Sequence, residues 1–267
     1  MSDFPHRVVL TRHPQQAGDL EAGLRGAGYE VAFMPLTQQV LPEDQSELRQ
    51  AISDLRRGEF SWMVVTSGNT VRALVWCGWN GAVPAHTRVG AVGPGTASVL
   101  EELTGIRDIW MPHQHSAAGI LAELPRPAPG ENPRLLLPQS AQARTELVTG
   151  LRALGWDPTQ VIAYRTTGLG PETPAPPSAR CHLPGRAAAD TAGGAVLTPS
   201  DLKADDAVLV TSSTAAEQWS AHHVVPEVRL LAIGRPTAET LKRQGTPADQ
   251  VLSAPTAAAV LACLNVR

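Results

Sequence analysis

The chain presents nearly the same set of motifs twice, in the same order. Leu24-Arg25-Gly26-Ala27-Gly28-Tyr29 returns as Leu151-Arg152-Ala153-Leu154-Gly155-Trp156, and Val8-Val9-Leu10 returns as Leu135-Leu136-Leu137 at the same offset. Thr66-Ser67-Gly68-Asn69 has a counterpart in Thr211-Ser212-Ser213-Thr214, and Gly93-Pro94-Gly95-Thr96-Ala97 in Gly234-Arg235-Pro236-Thr237-Ala238. Ser116-Ala117-Ala118-Gly119-Ile120-Leu121 comes back as Thr256-Ala257-Ala258-Ala259-Val260-Leu261. Echoes kept in one order imply two half-chains of similar fold, each the size of a small domain. Two related domains in one chain commonly face each other across a cleft, and a cleft suits a ligand.

A length of 267 residues allows one or two domains with proper hydrophobic cores. The formal charge of −3 argues against a general nucleic-acid binder, which would carry a basic excess. Cys77, Cys181 and Cys263 are too few and too widely spaced for a disulfide framework or a zinc site, so a reducing cytoplasm is the expected compartment. No run approaches the ~18 apolar residues of a membrane span, and the start resembles no signal peptide. A soluble cytoplasmic chain without a membrane partner is expected.

Short apolar runs alternate with helical patterns. Val8–Thr11, Glu30–Met34, Trp62–Thr66 and Arg88–Val92 read as strands, as do Leu135–Leu137, Gln160–Tyr164, Ala207–Thr211, Arg229–Ile233 and Gln250–Leu252. Helices are expected over Gln15–Ala27, Glu43–Arg57, Asn69–Trp76, Pro94–Leu103 and Ser116–Leu124. Ala17, Leu20 and Leu24 mark the buried side of the first, and Leu48, Ile52 and Leu55 that of the second. Leu147, Leu151 and Leu154 mark another helix in the second half. Pro125–Gly130 is linker chemistry, and residues 168–202 are a Pro/Ala/Gly-rich loop or insertion. Buried strands alternating with helices mean parallel sheets covered on both faces, so each half is an open α/β domain.

Ligands of open parallel sheets bind where strand ends lead into helix N-termini. The repeated turns fall there: Arg12; Thr66, Ser67, Gly68 and Asn69; Gly93 and Thr96; Ser140; Thr211, Ser212 and Ser213; Gly234 and Thr237. Such turns leave backbone N–H groups open and favour an anion, although Ser, Thr and Asn are also ordinary helix caps. Four of them, paired across two halves, favour an anion-rich ligand. Other signatures fail. Gly93-Pro94-Gly95 lacks the third glycine of a dinucleotide fingerprint, and no Walker lysine follows a glycine loop. His113-Gln114-His115 and His222-His223 have poor spacing for one metal and no carboxylate cluster beside them, so no metal site is expected. The six tryptophans read as packing, and Cys77 as a small buried hydrophobe. The titratable groups left near strand ends are Arg12, Arg144, Arg165, Arg235 and Tyr164. Chemistry with so few acid–base groups needs a substrate that is itself reactive.

Taken in order, these motifs resemble the uroporphyrinogen-III synthase family, of the actinobacterial type. The resemblance is carried by Val8-Val9-Leu10-Thr11-Arg12, Val64-Val65-Thr66-Ser67, Val89-Gly90-Ala91-Val92-Gly93-Pro94-Gly95-Thr96-Ala97 and Leu135-Leu136-Leu137-Pro138-Gln139-Ser140 with Arg144. Ala163-Tyr164-Arg165-Thr166, Val208-Leu209-Val210-Thr211-Ser212 and Leu231-Ala232-Ile233-Gly234 complete it. It implies a cofactor-free monomer whose partner is a small molecule, linear hydroxymethylbilane with its eight carboxylates. The product is cyclic uroporphyrinogen III with the last ring inverted. It implies Tyr164 as the residue that helps the hydroxyl leave, and Thr66, Ser67, Thr96, Ser212 and Thr237 as positions facing a cleft. It also implies two open parallel-sheet α/β domains joined by a two-stranded connection: residues 1–37 with 168–267, and residues 41–164. The chain departs from the family's Gly-Pro-Thr-Thr-Ala at Gly234-Arg235-Pro236-Thr237-Ala238, losing a hydroxyl and gaining an arginine able to hold a carboxylate.

Two other readings compete. A nucleotide-dependent transferase would need a phosphate loop and an acidic ribose partner, and neither is found. A non-catalytic two-domain sensor of an anionic small molecule is the alternative on the same scaffold.

Overall fold

A computed structural model of the chain describes residues 6–16, 18–169, 195–221 and 227–265. Ala17, Cys181, His222-His223 and most of the Pro/Ala/Gly-rich stretch lie outside the described residues. The chain divides into two compact units, Met1–Gln38 with Thr167–Arg267 (unit 1) and Gln39–Thr166 (unit 2).

It begins in unit 1 with β1 (Arg7–Leu10), α1 (Gly18–Gly26) and β2 (Glu30–Phe33), then leaves through β3 (Thr37–Val40). Unit 2 follows as α2 (Ser46–Arg56), β4 (Trp62–Val65), α3 (Gly68–Trp76), β5 (Arg88–Ala91), α4 (Pro94–Thr104), β6 (Ile109–Trp110), α5 (Ala117–Glu123), β7 (Arg134–Ser140) and α6 (Glu146–Ala153). The chain returns along β8 (Asp157–Gly168) to complete unit 1 with β9 (Asp206–Val210), α7 (Ser213–Ala221), β10 (Arg229–Ala232), α8 (Arg235–Arg243), β11 (Gln250–Val251) and α9 (Ala257–Leu264).

Unit 1 holds a parallel sheet in the order β11-β10-β9-β1-β2, with Val8 opposite both Val31 and Ala207. The other sheet runs β3-β8-β7-β4-β5-β6, and its β8-β7-β4-β5-β6 part is parallel. Both sheets are buried on two faces, which explains their continuous apolar strands. In unit 1, Val8 and Leu10 pack with α1 and α9 through Leu24, Val260 and Leu264, while Val9 packs on the other face with Trp219 and Leu241. In unit 2, Met63 and Val65 join Leu55, Leu74 and Leu100, and Trp62 and Val64 face Ile120, Leu147 and Leu151. The alternation is the two-residue period of a strand.

The doubled motifs acquire a spatial meaning here. Matching β7 to β1, β8 to β2, β4 to β9, β5 to β10 and β6 to β11 makes the two sheet orders identical apart from the extra β3. The opening β-α-β piece of each sequence half is therefore built into the sheet that the other half completes. Arg7 fastens one such joint: its Nε and Nη2 donate to the Asp206 carboxylate at 2.8 and 2.6 Å, and Asp206 is 1% exposed.

Several elements differ from their expected bounds. The first helix is interrupted, with a 3-10 turn at Pro14–Gln16 before α1. β7 does not stop at Leu137 but continues through Pro138 to Ser140. The proline is tolerated because pairing with β4 already ends at Leu136, so its missing N–H removes no ladder bond on that side. β8 runs for twelve residues and contains Pro158 and Tyr164. β6 carries too short an apolar signal to be read from sequence. The ends of the 168–202 stretch are built in: the Leu169 N–H donates to the Leu36 carbonyl at 2.8 Å, Val196 bridges Phe33, and Leu202 is buried.

Candidate functional site

In unit 2, β4 ends at Val65 and the next residues turn into α3. Ser67 is extended (φ −158°, ψ 141°), and its Oγ accepts the Asn69 N–H at 3.1 Å, capping the helix. Gly68 opens α3 and Thr66 precedes the cap, both half-buried. Tyr164, on β8, is 7% exposed, and its hydroxyl donates to Ser67 Oγ at 3.4 Å. The phenol thus points at a helix-capping serine. Ser140 is the register partner of Tyr164, across an irregularity between Gln139 and Ser140. Its Oγ lies 2.6 Å from Gln142 Oε1 and accepts the Gln142 N–H at 3.2 Å. Ser67, Ser140 and Tyr164 are therefore brought together, whereas Arg144 and Arg165 are exposed and have no hydrogen-bond or ion-pair partner among the described residues.

The turn into α4 is built differently. Gly93 is its cap with an extended backbone (φ 179°), and Pro94 occupies the first turn, where no N–H is needed. A side chain at Gly93 would put its Cβ 2.9 Å from the His115 Cβ, so glycine is required by close approach. Thr96 is buried behind this turn.

In unit 1 the corresponding turns carry their own ties. Thr11 and Thr211 interlock the ends of β1 and β9: the Thr211 N–H donates to Thr11 Oγ1 at 3.1 Å, and Thr211 Oγ1 donates to the Thr11 carbonyl at 3.3 Å. Ser212 Oγ accepts the Ala215 N–H at 3.0 Å, closing the first turn of α7, which starts at Ser213. Gly234 caps α8, Arg235 is exposed at its first position, and Thr237 is buried. A Cβ at Gly234 would meet open space apart from Pro236 at 4.0 Å, so the doubled glycines are not constrained alike. Arg12 is half-buried and donates to the Gln16 carbonyl at 3.2 Å; burial pushes its pKa down.

One residue that sequence reasoning passed over belongs to the unit 2 turn. Arg72 sits one helical turn after Gly68 and folds back toward the start of α3, as helical side chains do. Its Nη1 and Val99 Cγ2 both lie 3.1 Å from where a Cβ on Gly68 would be. Burial lowers its pKa, with the charge of Glu102 acting the other way. The available signal was an arginine four residues after a glycine in a capped turn.

Among the described residues, no group of three or more His, Cys, Asp or Glu could hold a metal ion. His113 is exposed, and its ring lies 2.6 Å from Glu123, whose carboxylate also accepts the His113 and Gln114 N–H groups. Those bonds hold Glu123 below the usual carboxylate range. Cys77 is buried and its thiol pushed up by that burial, which suits packing rather than nucleophilic work. No described helix is long and apolar enough to cross a membrane.

Comparison with known proteins places this architecture. The chain is 28% identical over 170 residues to the chloroplastic uroporphyrinogen-III synthase of Oryza sativa subsp. japonica, covering 62% of this chain and 55% of that protein. It is 30% identical over 171 residues to the porphyrin biosynthesis protein HemD of Ruminiclostridium josui, covering 61% of this chain and 32% of that one. The chain thus spans about half or less of the length of these curated relatives. The crystal structure of uroporphyrinogen-III synthetase from Helicobacter pylori matches with a TM-score of 0.54 at 17% identity over 97% of both chains. A mutant uroporphyrinogen III synthase from Thermus thermophilus matches with a TM-score of 0.50 at 17% identity over 96% of both. At that identity the structures establish a shared fold. The profile of the family described as uroporphyrinogen-III synthase HemD matches residues 18–262, nearly the whole chain, and the chain belongs to that family.

Proposed function

We propose that this chain is a uroporphyrinogen-III synthase, a lyase that cyclises hydroxymethylbilane to uroporphyrinogen III with loss of one water. The observation that carries the reading, beside family membership, is the Tyr164 hydroxyl set 3.4 Å from the α3 cap Ser67. A proton delivered at the terminal hydroxymethyl group lets water depart and leaves an azafulvene. The substituted carbon of the last ring attacks it to form a spiro intermediate, which fragments and recloses with that ring inverted. The substrate supplies the reactive carbon and the leaving group. The protein's task is to hold the bilane in the bent form and to assist departure of water, so positioning supplies most of the acceleration.

In this reading Tyr164 is the catalytic residue, and the carboxylates are bound at the helix-entry turns. In unit 2 those are Thr66, Ser67, Gly68, Asn69, Gly93 and Thr96, with Ser140 and Arg144. In unit 1 they are Arg12, Thr211, Ser212, Ser213, Gly234, Arg235 and Thr237. Open N–H groups at such turns favour anions whatever their detailed shape. No cofactor is required, and a cytoplasmic monomer is proposed. The test supplies freshly made hydroxymethylbilane and separates the isomers formed. Uroporphyrinogen III in excess of the spontaneous product supports the proposal. Uroporphyrinogen I alone, at the rate seen without protein, refutes it and leaves a binding protein.

A further inference from the structure

The arginines of this chain are almost all accounted for. Arg7, Arg25, Arg57, Arg107 and Arg134 are ion-paired to carboxylates. Arg12, Arg49, Arg56, Arg229 and Arg243 donate to carbonyl or side-chain oxygens. Arg88 lies over the Trp62 ring, 5.5 Å from its centroid. Of the remainder among the described residues, Arg126, Arg144, Arg152, Arg165 and Arg235 are exposed, and water serves them. Arg72 alone is partly buried and has neither a hydrogen-bond acceptor nor an ion pair among the described residues.

A guanidinium partly drawn out of water, with the charge of Glu102 acting on it but no bonded acceptor, costs free energy, and such groups persist where function uses them. Its position is specific. The guanidinium lies over Gly68 and beside Val99, where the early turns of α3 and α4 meet, and Ser67, the acceptor of the Tyr164 hydroxyl, immediately precedes Gly68. Architecture does not demand a cation there. In the equivalent helix α7, the seventh position of the repeated motif is Glu217, which is exposed. The scaffold therefore accepts either charge, and the arginine belongs to the unit 2 turn alone.

We infer that Arg72 binds a carboxylate of the substrate beside Tyr164, so that it fixes which end of the polycarboxylate chain meets the phenol. This rests on the proposed function for the identity of the substrate. Lining the site with Gly68 leaves room for the guanidinium fork, and a planar fork matches a carboxylate with two parallel hydrogen bonds.

The test uses the full chain with Arg72→Met, which keeps an unbranched apolar side chain, and Arg72→Lys, which keeps the charge. Binding is read with uroporphyrin III, a stable octacarboxylate, and with mellitate, a small hexacarboxylate. Steady-state rates on hydroxymethylbilane are measured alongside. Arg72→Met is expected to weaken binding of both probes about tenfold and to raise KM more than it lowers kcat, with Arg72→Lys between it and the wild type. The melting transition stays in place, as a purely structural arginine would not allow. Unchanged binding of both probes by Arg72→Met, or loss of binding only in step with loss of stability, overturns the assignment. Failure of the wild type to make uroporphyrinogen III overturns the proposed function instead, and mellitate still reads Arg72. Failure of the wild type to bind either probe overturns both.

Discussion

The joint between β1 and β9 makes a quantitative prediction. Asp206 is buried and accepts Nε and Nη2 of Arg7 at 2.8 and 2.6 Å together with the Lys203 N–H at 2.8 Å. The pair is charge-assisted and two-pronged, which raises the Arg7 pKa above its ordinary value. Arg7→Met removes both side-chain donors and leaves the Asp206 carboxylate with one backbone N–H in a dry setting. Breaking one partner of such a buried pair costs about 3–5 kcal/mol, most of it the uncompensated charge. The double variant Arg7→Met/Asp206→Leu removes the orphan as well, so it should recover at least half of that loss. The loss should also be local. Peptide-resolved hydrogen exchange should show faster exchange in β1, β2, β9 and β10, and unchanged exchange in β4, β5 and β7. Urea unfolding followed at Trp219, which lies in unit 1, measures the magnitude once the other tryptophans are replaced by phenylalanine. A cost below about 1 kcal/mol for Arg7→Met, the range of an exposed pair, would refute the reasoning. So would a double variant no more stable than the single one, or equal loss of protection in both units.

The remaining expectations concern the turns. Tyr164→Phe should lower kcat on hydroxymethylbilane on the order of 10²-fold while uroporphyrin binding stays near wild type; unchanged turnover would take the phenol out of the mechanism. Gly93→Ala and Gly234→Ala both place alanine at a helix cap, but only the first drives a Cβ to 2.9 Å from His115. Gly93→Ala should therefore cost about 1–3 kcal/mol more, measured by denaturant unfolding with hydrogen exchange assigning the unit, and equal costs would show that His115 simply moves aside. His13 is held below its ordinary pKa by burial, against a hydrogen bond with the Thr37 backbone. The unfolded chain then binds the proton more readily, so stability should be complete above about pH 6.5 and fall as pH drops through that value toward the depressed folded pKa. His13→Gln should flatten this slope in melting curves taken from pH 8 to 5, and an identical slope would assign the acid sensitivity elsewhere.

Much of this architecture was legible because burial on two faces leaves a plain mark. Val8-Val9-Leu10, Trp62–Val65 and Leu135–Leu137 are each nearly inaccessible to water, and a parallel strand covered on both sides has to be apolar throughout. The caps were legible for a local reason: Ser67, Ser116, Ser212 and Thr256 each accept an N–H of the first turn of their helix. The same fact limits what sequence can say about a site, since a capping serine and a ligand-binding serine look alike. Pro138 hid the length of β7, because strand proline is tolerated only where pairing on one side stops, a property of the partner strand. Arg72 was missed because its distinction lies in what it lacks, an acceptor, and that depends on residues distant in sequence. Sheet membership depends likewise on the return of the chain, and only the family resemblance pointed to it.

The exchange of opening segments has a consequence for synthesis. β1, α1 and β2 leave the ribosome well before β9, the strand that pairs with the inner edge of β1, which begins only at Asp206. At about 5–20 residues per second, that edge waits on the order of 10–40 s for its neighbour. Meanwhile Gln39–Thr166 emerges as one uninterrupted segment and can close its own core. Val8-Val9-Leu10 thus keeps an unpaired apolar edge while β3 to β8 are made, the kind of segment that chaperones hold and that aggregates when released early. A permuted chain in which β1, α1 and β2 are made after α9 would shorten that wait, and the yield of soluble protein at fast translation would report it.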